Sequence, residues 1–297
     1  MTEAEIVLDS INATTGDRIT TIRVVFARYL LDELVTHRIL FVDAFHDLTE
    51  VLQAYDADIP HDLSKNAASS RAVPVTRMIE RVWGNPFIPR FRTAQRGMTS
   101  GEPVADNVQE IAEAAVRRLM QASIETVELL YGLGIEKGLV NRYIEPFSHI
   151  EVLLTATEWN NFFLLRDHPG AQTEIRELAQ AIKRAMNDSE PRILQPGEWH
   201  LPYDEGYTDI RFAPTSAARC ARISYRSLST NKPSTYKEDM DLFGKLTAGN
   251  PKHLSPCEHP AQAQNEHRRF GNLVGWKSLR KIMFNGEEKG GDLAGVE

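Results

Sequence analysis

Cysteine is scarce: only Cys220 and Cys257 occur in 297 residues, and they show no paired metal spacing. That excludes a disulfide framework and fits a reducing cytoplasm. Cys257 is a nucleophile in principle, though a buried, inert thiol suits its surroundings better. Long apolar runs are missing as well. The longest, Val24 to Leu40, is broken by Arg28, Asp32, Glu33, His37 and Arg38, so nothing is expected to span a membrane. Basic charge is in deficit, with 34 Lys and Arg against 41 Asp and Glu, a net −7 and a pI near 5.8. Long nucleic acid is therefore not an expected partner, while a small anion in a local basic pocket is compatible. The acidic start, Met1-Thr2-Glu3-Ala4-Glu5, lacks the basic and apolar regions of a leader peptide. No Gly-x-Gly-x-x-Gly follows a strand, and neither a Walker loop nor His-x-x-x-His occurs. His253, Glu258 and His259 make a poor metal set, because Ser255-Pro256 breaks any helix and no fourth ligand stands near. No metal is expected.

What is present is an ordinary globular composition, 42% hydrophobic and 25% charged, in a chain long enough for a large core. Alternating strand and helix signals predict a mixed α/β (α+β) protein, a central sheet flanked by helices. Thr20–Phe26 is β-branched and aromatic, which predicts a strand leading into a helix over 27–38. Residues 41–63 read as a surface insertion. A long helix is expected over 103–131, with Val108, Ile111, Ala115, Leu119 and Ala122 as its buried stripe and Gly132 and Gly134 ending it. Residues 156–165 read as helical. A further helix follows Pro169-Gly170, burying Ile175, Leu178, Ala179, Ile182 and Met186. Asp188–Pro214 has no clear period and reads as a long connection, whereas Thr235 with Glu238 can cap a helix carrying Met240, Leu242, Phe243 and Leu246. The reading is one catalytic domain over 1–284 and a flexible tail over 285–297.

The most informative stretch is Ser64-Lys65-Asn66-Ala67-Ala68-Ser69-Ser70-Arg71. Three hydroxyls, an amide and a guanidinium can cradle an anion, and they can equally form turns or helix caps. His37 and Arg38 end a predicted helix, where cations suit the dipole, so they too have a structural explanation. Arg90-Phe91-Arg92-Thr93-Ala94-Gln95-Arg96 reads as a solvated basic loop or a receptor for a polyanion. Arg142 and Arg166 sit in apolar sequence beside Asn141, Asn160 and Asn161, where burial needs a partner. That partner can be a ligand, or a carboxylate such as Glu145 or Glu158.

Taken together, these segments resemble the flavin-dependent thymidylate synthases. Thr36-His37-Arg38 matches the family's Arg-His-Arg, and Ser64-x-Asn66-Ala67-x-Ser69-x-Arg71 its Ser-x-Asn-Glu-x-Ser-x-Arg. Asn161-Phe162-x-x-Leu165-Arg166 and Arg142 with Pro146 are similar to its downstream segments. Two motifs that normally precede Arg-His-Arg come last here: Ser216-Ala217-Ala218-Arg219-Cys220-Ala221-Arg222-Ile223-Ser224 and His253-Leu254-Ser255-Pro256-Cys257-Glu258-His259. The order implies a circular permutation jointed at 188–214.

The resemblance implies a mixed α/β sheet domain that assembles as a homotetramer with flavin sites between subunits. It implies an FAD-dependent methyltransferase that carries a one-carbon group from methylenetetrahydrofolate to C5 of dUMP, with NADPH as reductant and no cysteine nucleophile. His37, Arg38, Asn66, Asn161, Ser224, His253, Ser255 and Glu258 would contact FAD. Ser69, Ser70 and Arg71 would hold the nucleotide phosphate, with Arg142 assisting. Ser69 and Arg166 would be catalytic, Arg166 stabilising charge on the uracil carbonyls, and Glu33 stands where the family has a Gln facing substrate. Three departures accompany the match: Thr36 for Arg, Ala67 for Glu, and Glu33 for Gln. They keep open a sibling enzyme giving a hydroxymethyl product or using dCMP, and a non-catalytic flavin- or nucleotide-binding protein.

Overall fold

In the computed structural model the described residues are 2–36, 64–67, 73–97, 99–225, 234–250 and 252–283, and the side chains of 35–36, 64–67 and 223–225 fall outside that description. His37, Arg38, Ser69, Ser70, Arg71, the 41–63 segment and the 285–297 tail therefore lie outside the described residues, as do the side chains of Asn66 and Ser224.

The β-branched run around Thr20–Phe26 forms the middle of a five-stranded sheet. Its order is β3 (Ser64–Ala67), β4 (His149–Ala156), β2 (Arg18–Ala27), β1 (Glu3–Asn12) and β5 (Arg192–Leu194). All neighbours are antiparallel except β1 and β5. Helix α6 (Thr173–Asn187) covers one face, and its Ile175, Leu178, Ala179 and Ile182 meet Ile22, Val24, Phe26, Val152 and Leu154. The predicted stripe on this helix is the one the structure buries. Arg18 ties the sheet to it, donating to Met186 O at 2.6 Å while pairing with the buried Asp9. A cation there also suits the C-terminal end of the helix dipole.

The expected helix over 156–165 is corrected: strand β4 runs to Ala156, and α5 (Asn160–Arg166) begins four residues later. Val152, Leu153, Leu154 and Thr155 are all buried, because the strand is covered on both faces. A continuous apolar run of that kind lacks the alternation that marks a half-buried strand. The other face packs α7 (Ala213–Tyr225), whose Cys220 lies on Leu153. The 188–214 connection is likewise more ordered than expected. It holds β5 and β6 (Trp199–His200), and it buries Trp199 and Leu201.

A helical layer of α2 (Val75–Gly84), α3 (Asp106–Gly132) and α4 (Lys137–Val140) buries Val75, Met78, Val82, Met120, Ile124, Val127 and Val140. The predicted stripe of α3 is overturned: Val108, Ile111 and Leu119 are 45%, 69% and 60% exposed, and Ala115 and Ala122 are exposed too. The helix has two apolar stripes, and this chain's own core covers the other one. Late in the chain, α8 (Tyr236–Ala248) starts at the expected capping box of Thr235 and Glu238. Strands β6, β7 (Ala261–Ala263) and β10 (Trp276–Ser278) make a small sheet, with β8 (Arg269–Phe270) and β9 (Leu273–Val274) as a separate ladder and α9 (Leu279–Met283) at the end. Gly275, at φ +73°, ends the β9–β10 turn against Asp17, and a Cβ there would lie 2.1 Å from Asp17 Oδ2. The β1–β2 turn is clamped at this point. Asn12 Nδ2 donates to Gln264 O and Gly275 O, and Trp276 Nε1 donates to Asp17 O. Among the described residues, no helix is long and apolar enough to cross a membrane.

A polar seam crosses the buried face. Ser10 Oγ meets His200 Nδ1 at 2.8 Å, and His200 Nε2 meets Thr21 Oγ1 at 2.9 Å. Thr21 and Thr155, partners in the ladder, join hydroxyls at 2.7 Å, and Thr155 Oγ1 meets His259 Nδ1 at 2.8 Å. Hydroxyls that both donate and accept let two neutral imidazoles join one directional chain. Burial pushes both histidines from 6.5 down to about 3, and the neighbouring ring adds to the shift of His200. Between those values the unfolded chain binds protons that the folded one refuses. Stability is therefore full above pH 6.5 and lost as pH falls toward 3, by up to about 1.4 kcal/mol per pH unit for each ring. Urea midpoints measured from pH 7 to 4 should fall steeply in the wild type and less steeply in a His200→Gln, His259→Gln variant. Equal slopes would show that other groups set the acid sensitivity.

Candidate active site

Strand register gathers several of the singled-out segments at one end of the sheet. Ala27 pairs with His149, and Ala67 at the exit of β3 pairs with Val152. From that end, the 28–30 turn leads into α1 (Leu31–Thr36), which carries Glu33. The turn packs on residues 145–147, where Arg28 pairs with Glu145 at 3.1 Å, just after the 141–143 turn that carries Arg142. Asn141 is fully buried and anchors this turn by donating to Val73 O at 2.9 Å. Arg142 itself is exposed and makes no ion pair among the described residues.

Arg166, the last residue of α5, meets Glu33 with Nη1 to Oε2 at 2.9 Å. The two side chains keep 23% and 36% of their surface, so the pair is accessible. Neither Glu145 nor Glu158 is its partner, since the first holds Arg28 and the second holds Arg269 at 2.5 Å. Asn161 lies half-buried on the same helix as Arg166. The helix is seated by aromatic packing, with Trp159 stacked on Phe163 and edge-on to Phe162. The buried Trp159 Nε1 has no hydrogen-bond partner among the described residues, a donor beside Asn161 that motif matching overlooked. Its signal in the sequence was an indole between Glu158 and Asn160.

The late motifs meet the early ones through β3. The 255–258 turn and helix α7 both pack on that strand, so Ser255 and Glu258 stand on a segment next to the strand of Asn66 and the helix of Ser224. His253 and Ser255 are exposed. Glu258 is buried and paired with Arg280 of α9, an engagement no motif signalled. His259 Nε2, one residue on, is buried without a partner among the described residues.

Other candidate cations serve the fold. Arg219 bridges Asp204 at 2.6 Å and Asp239 at 2.8 Å, and Arg222 reaches Asp239 at 2.8 Å. Asp239 is fully buried on α8, so one carboxylate locks two turns of α7 to its neighbour. In the 90–96 loop, Arg90 pairs with Glu174 and Glu177, and Arg92 donates to Gly101 O and Thr173 Oγ1. Arg90 and Arg96 are the exposed cations among the described residues of the loop. The thiols are inert: both cysteines are buried, and burial raises Cys257 to about 12 and Cys220 well above its ordinary value. Among the described residues no cluster could hold a metal ion.

A mixed sheet covered on both faces, with an arginine–carboxylate pair at one end and exposed polar groups on a late turn docked to an edge strand, defines a mixed α/β protein with polar groups gathered around its sheet. More narrowly, the chain belongs to the family described as thymidylate synthase complementing protein, the flavin-dependent thymidylate synthases, whose pattern matches residues 19–192. The match runs from β2 to the start of β5 and stops before the two late motifs. Among solved structures, a UMP/dUMP methylase, PolB, from Streptomyces cacaoi, bound with 5-Br UMP, is similar at 12% identity and a TM-score of 0.44. The likeness covers 63% of this chain and 88% of that one, too distant to bear on substrate. No curated protein matches the chain.

Asp239→Ala should leave two guanidiniums facing each other across an emptied site, at a cost of about 3 kcal/mol in urea unfolding. A loss below about 0.5 kcal/mol would show a solvated surface pair instead.

Proposed function

We propose that this chain is a flavin-dependent enzyme that transfers a one-carbon group to C5 of a pyrimidine deoxynucleotide, most simply dUMP to dTMP with methylenetetrahydrofolate as donor and NADPH as reductant. The observation that carries the reading is the docking of the 255–258 turn and α7 on β3. It joins motifs separated by some two hundred residues, which supports a circularly permuted family member in a single domain over 1–284, jointed at 188–214. Long-range packing of this kind is what a permutation preserves while it moves the termini.

The donor set fits a flavin. Asn161, His253 and Ser255 are polar hydrogen-bonding groups, and Trp159 Nε1 and His259 Nε2 are buried atoms without a partner among the described residues. His37, Arg38, Asn66 and Ser224 complete the set in this reading. Glu258 contributes by holding Arg280 in place more than by direct contact, given its engaged carboxylate. Bound FAD would supply the redox chemistry that no side chain here can. The chain's own residues bind and polarise: Ser69, Ser70, Arg71 and Arg142 hold the phosphate, Glu33 meets the base, and Arg166 stabilises charge developing on its carbonyls. A reducing cytoplasm suits two buried thiols that form no disulfide.

A homotetramer is supported by the open stripe of α3. Val108, Ile111, Ala115, Leu119, Ala122 and Leu129 recur at three- and four-residue spacing on exposed surface, the pattern of a helix-packing seam. Ile111→Glu with Leu119→Glu should lower the mass seen by sedimentation without unfolding the chain, and an unchanged mass would place the interface elsewhere.

Purified protein should be yellow, or become so with FAD, and should release the C5 hydrogen of its pyrimidine nucleotide when given methylenetetrahydrofolate and NADPH. A protein that stays colourless with FAD added would overturn the reading. Arg166→Ala should cost about 1.5–3 kcal/mol of nucleotide binding, measured by calorimetry.

A further inference from the structure

We infer that Glu33, through its ion pair with Arg166, narrows the proposed pyrimidine substrate away from its simplest form, dUMP, to a 4-aminopyrimidine, a cytosine nucleotide. The inference rests on the reading that the pair faces the base. Its physical content is the donor and acceptor pattern of two side chains joined Nη1 to Oε2 at 2.9 Å on an accessible surface. An ionised carboxylate only accepts hydrogen bonds, and a guanidinium only donates them. Side by side they offer one acceptor followed by donors in a planar fork.

The cytosine edge is the complement of that order. Its 4-amino group donates to Glu33, while N3 and O2 accept from Arg166. Uracil carries O4 where cytosine carries the amino group, so its carbonyl oxygen would face a carboxylate. Shifting the ring to aim N3–H at Glu33 leaves one carbonyl without the fork. A Gln at position 33 would be indifferent, since a neutral amide can turn either its oxygen or its NH2 toward the ring. The single change from amide to acid therefore removes a donor that uracil O4 needs and fixes an acceptor that the cytosine amino group can use. A site built around one hydrogen-bond pattern discriminates strongly against the base that leaves its polar groups unpaired.

The test is the affinity of the FAD-loaded wild type for dCMP and dUMP by calorimetry, repeated on Glu33→Gln. Release of C5 tritium from each nucleotide serves as a second readout. Wild type should bind dCMP at least about tenfold more tightly than dUMP, and Glu33→Gln should erase or reverse that ratio while its melting temperature stays close to wild type. The wild-type ratio is informative without any variant. Equal or tighter dUMP binding by wild type, unchanged in Glu33→Gln, would overturn the cytosine assignment and leave the pyrimidine-nucleotide reading standing. Binding of neither nucleotide by the FAD-loaded protein would overturn that underlying reading itself.

Discussion

Two uncharged imidazoles inside the protein set its architecture. The seam Ser10–His200–Thr21–Thr155–His259 runs through β1, β6, β2, β4 and the segment after the 255–258 turn, linking parts of the chain up to 249 positions apart, from Ser10 to His259. A buried polar group left unpaired costs about 1–3 kcal/mol. Sliding the late half by one residue along the sheet would strand several such groups at once. The seam thus fixes the register in which the 255–258 turn meets β3, and with it the arrangement of the late motifs against the early ones. The clamp around Gly275, Asn12 and Asp17 secures the far end of the same junction.

Electrostatics divides the arginines into two groups. Arg18, Arg28, Arg90, Arg219, Arg222 and Arg280 each satisfy a carboxylate within the fold, several of them buried. In a chain with net charge −7 there are carboxylates enough for this. Arg166 is tied to Glu33, a carboxylate that keeps 36% of its surface, and Arg142 is exposed. A guanidinium locked to a desolvated aspartate, as at Asp239, is committed to structure.

Legibility followed the reach of each signal. The stripe of α6 and the capping box at Thr235 are local patterns whose environment is set within a few residues, and both appear where they were expected. The strand β4 was hidden because a run buried on both faces carries no period. The stripe of α3 was misassigned because a helix with two apolar faces does not announce which face its own chain covers. Among candidate site residues, the motif match singled out Glu33, Arg142, Asn161 and Arg166. It could not foresee that Glu258 would meet Arg280, or that Arg219 and Arg222 would share Asp239, since those pairings join elements 17 to 22 residues apart across a packed interface.

Sequence alone determined the family: residue types and motif spacing place the chain among the flavin-dependent thymidylate synthases. Tertiary structure decided which carboxylate each arginine meets. The reason is physical, because whether a guanidinium meets an aspartate or a ligand depends on contacts between distant segments, and on the water those contacts exclude.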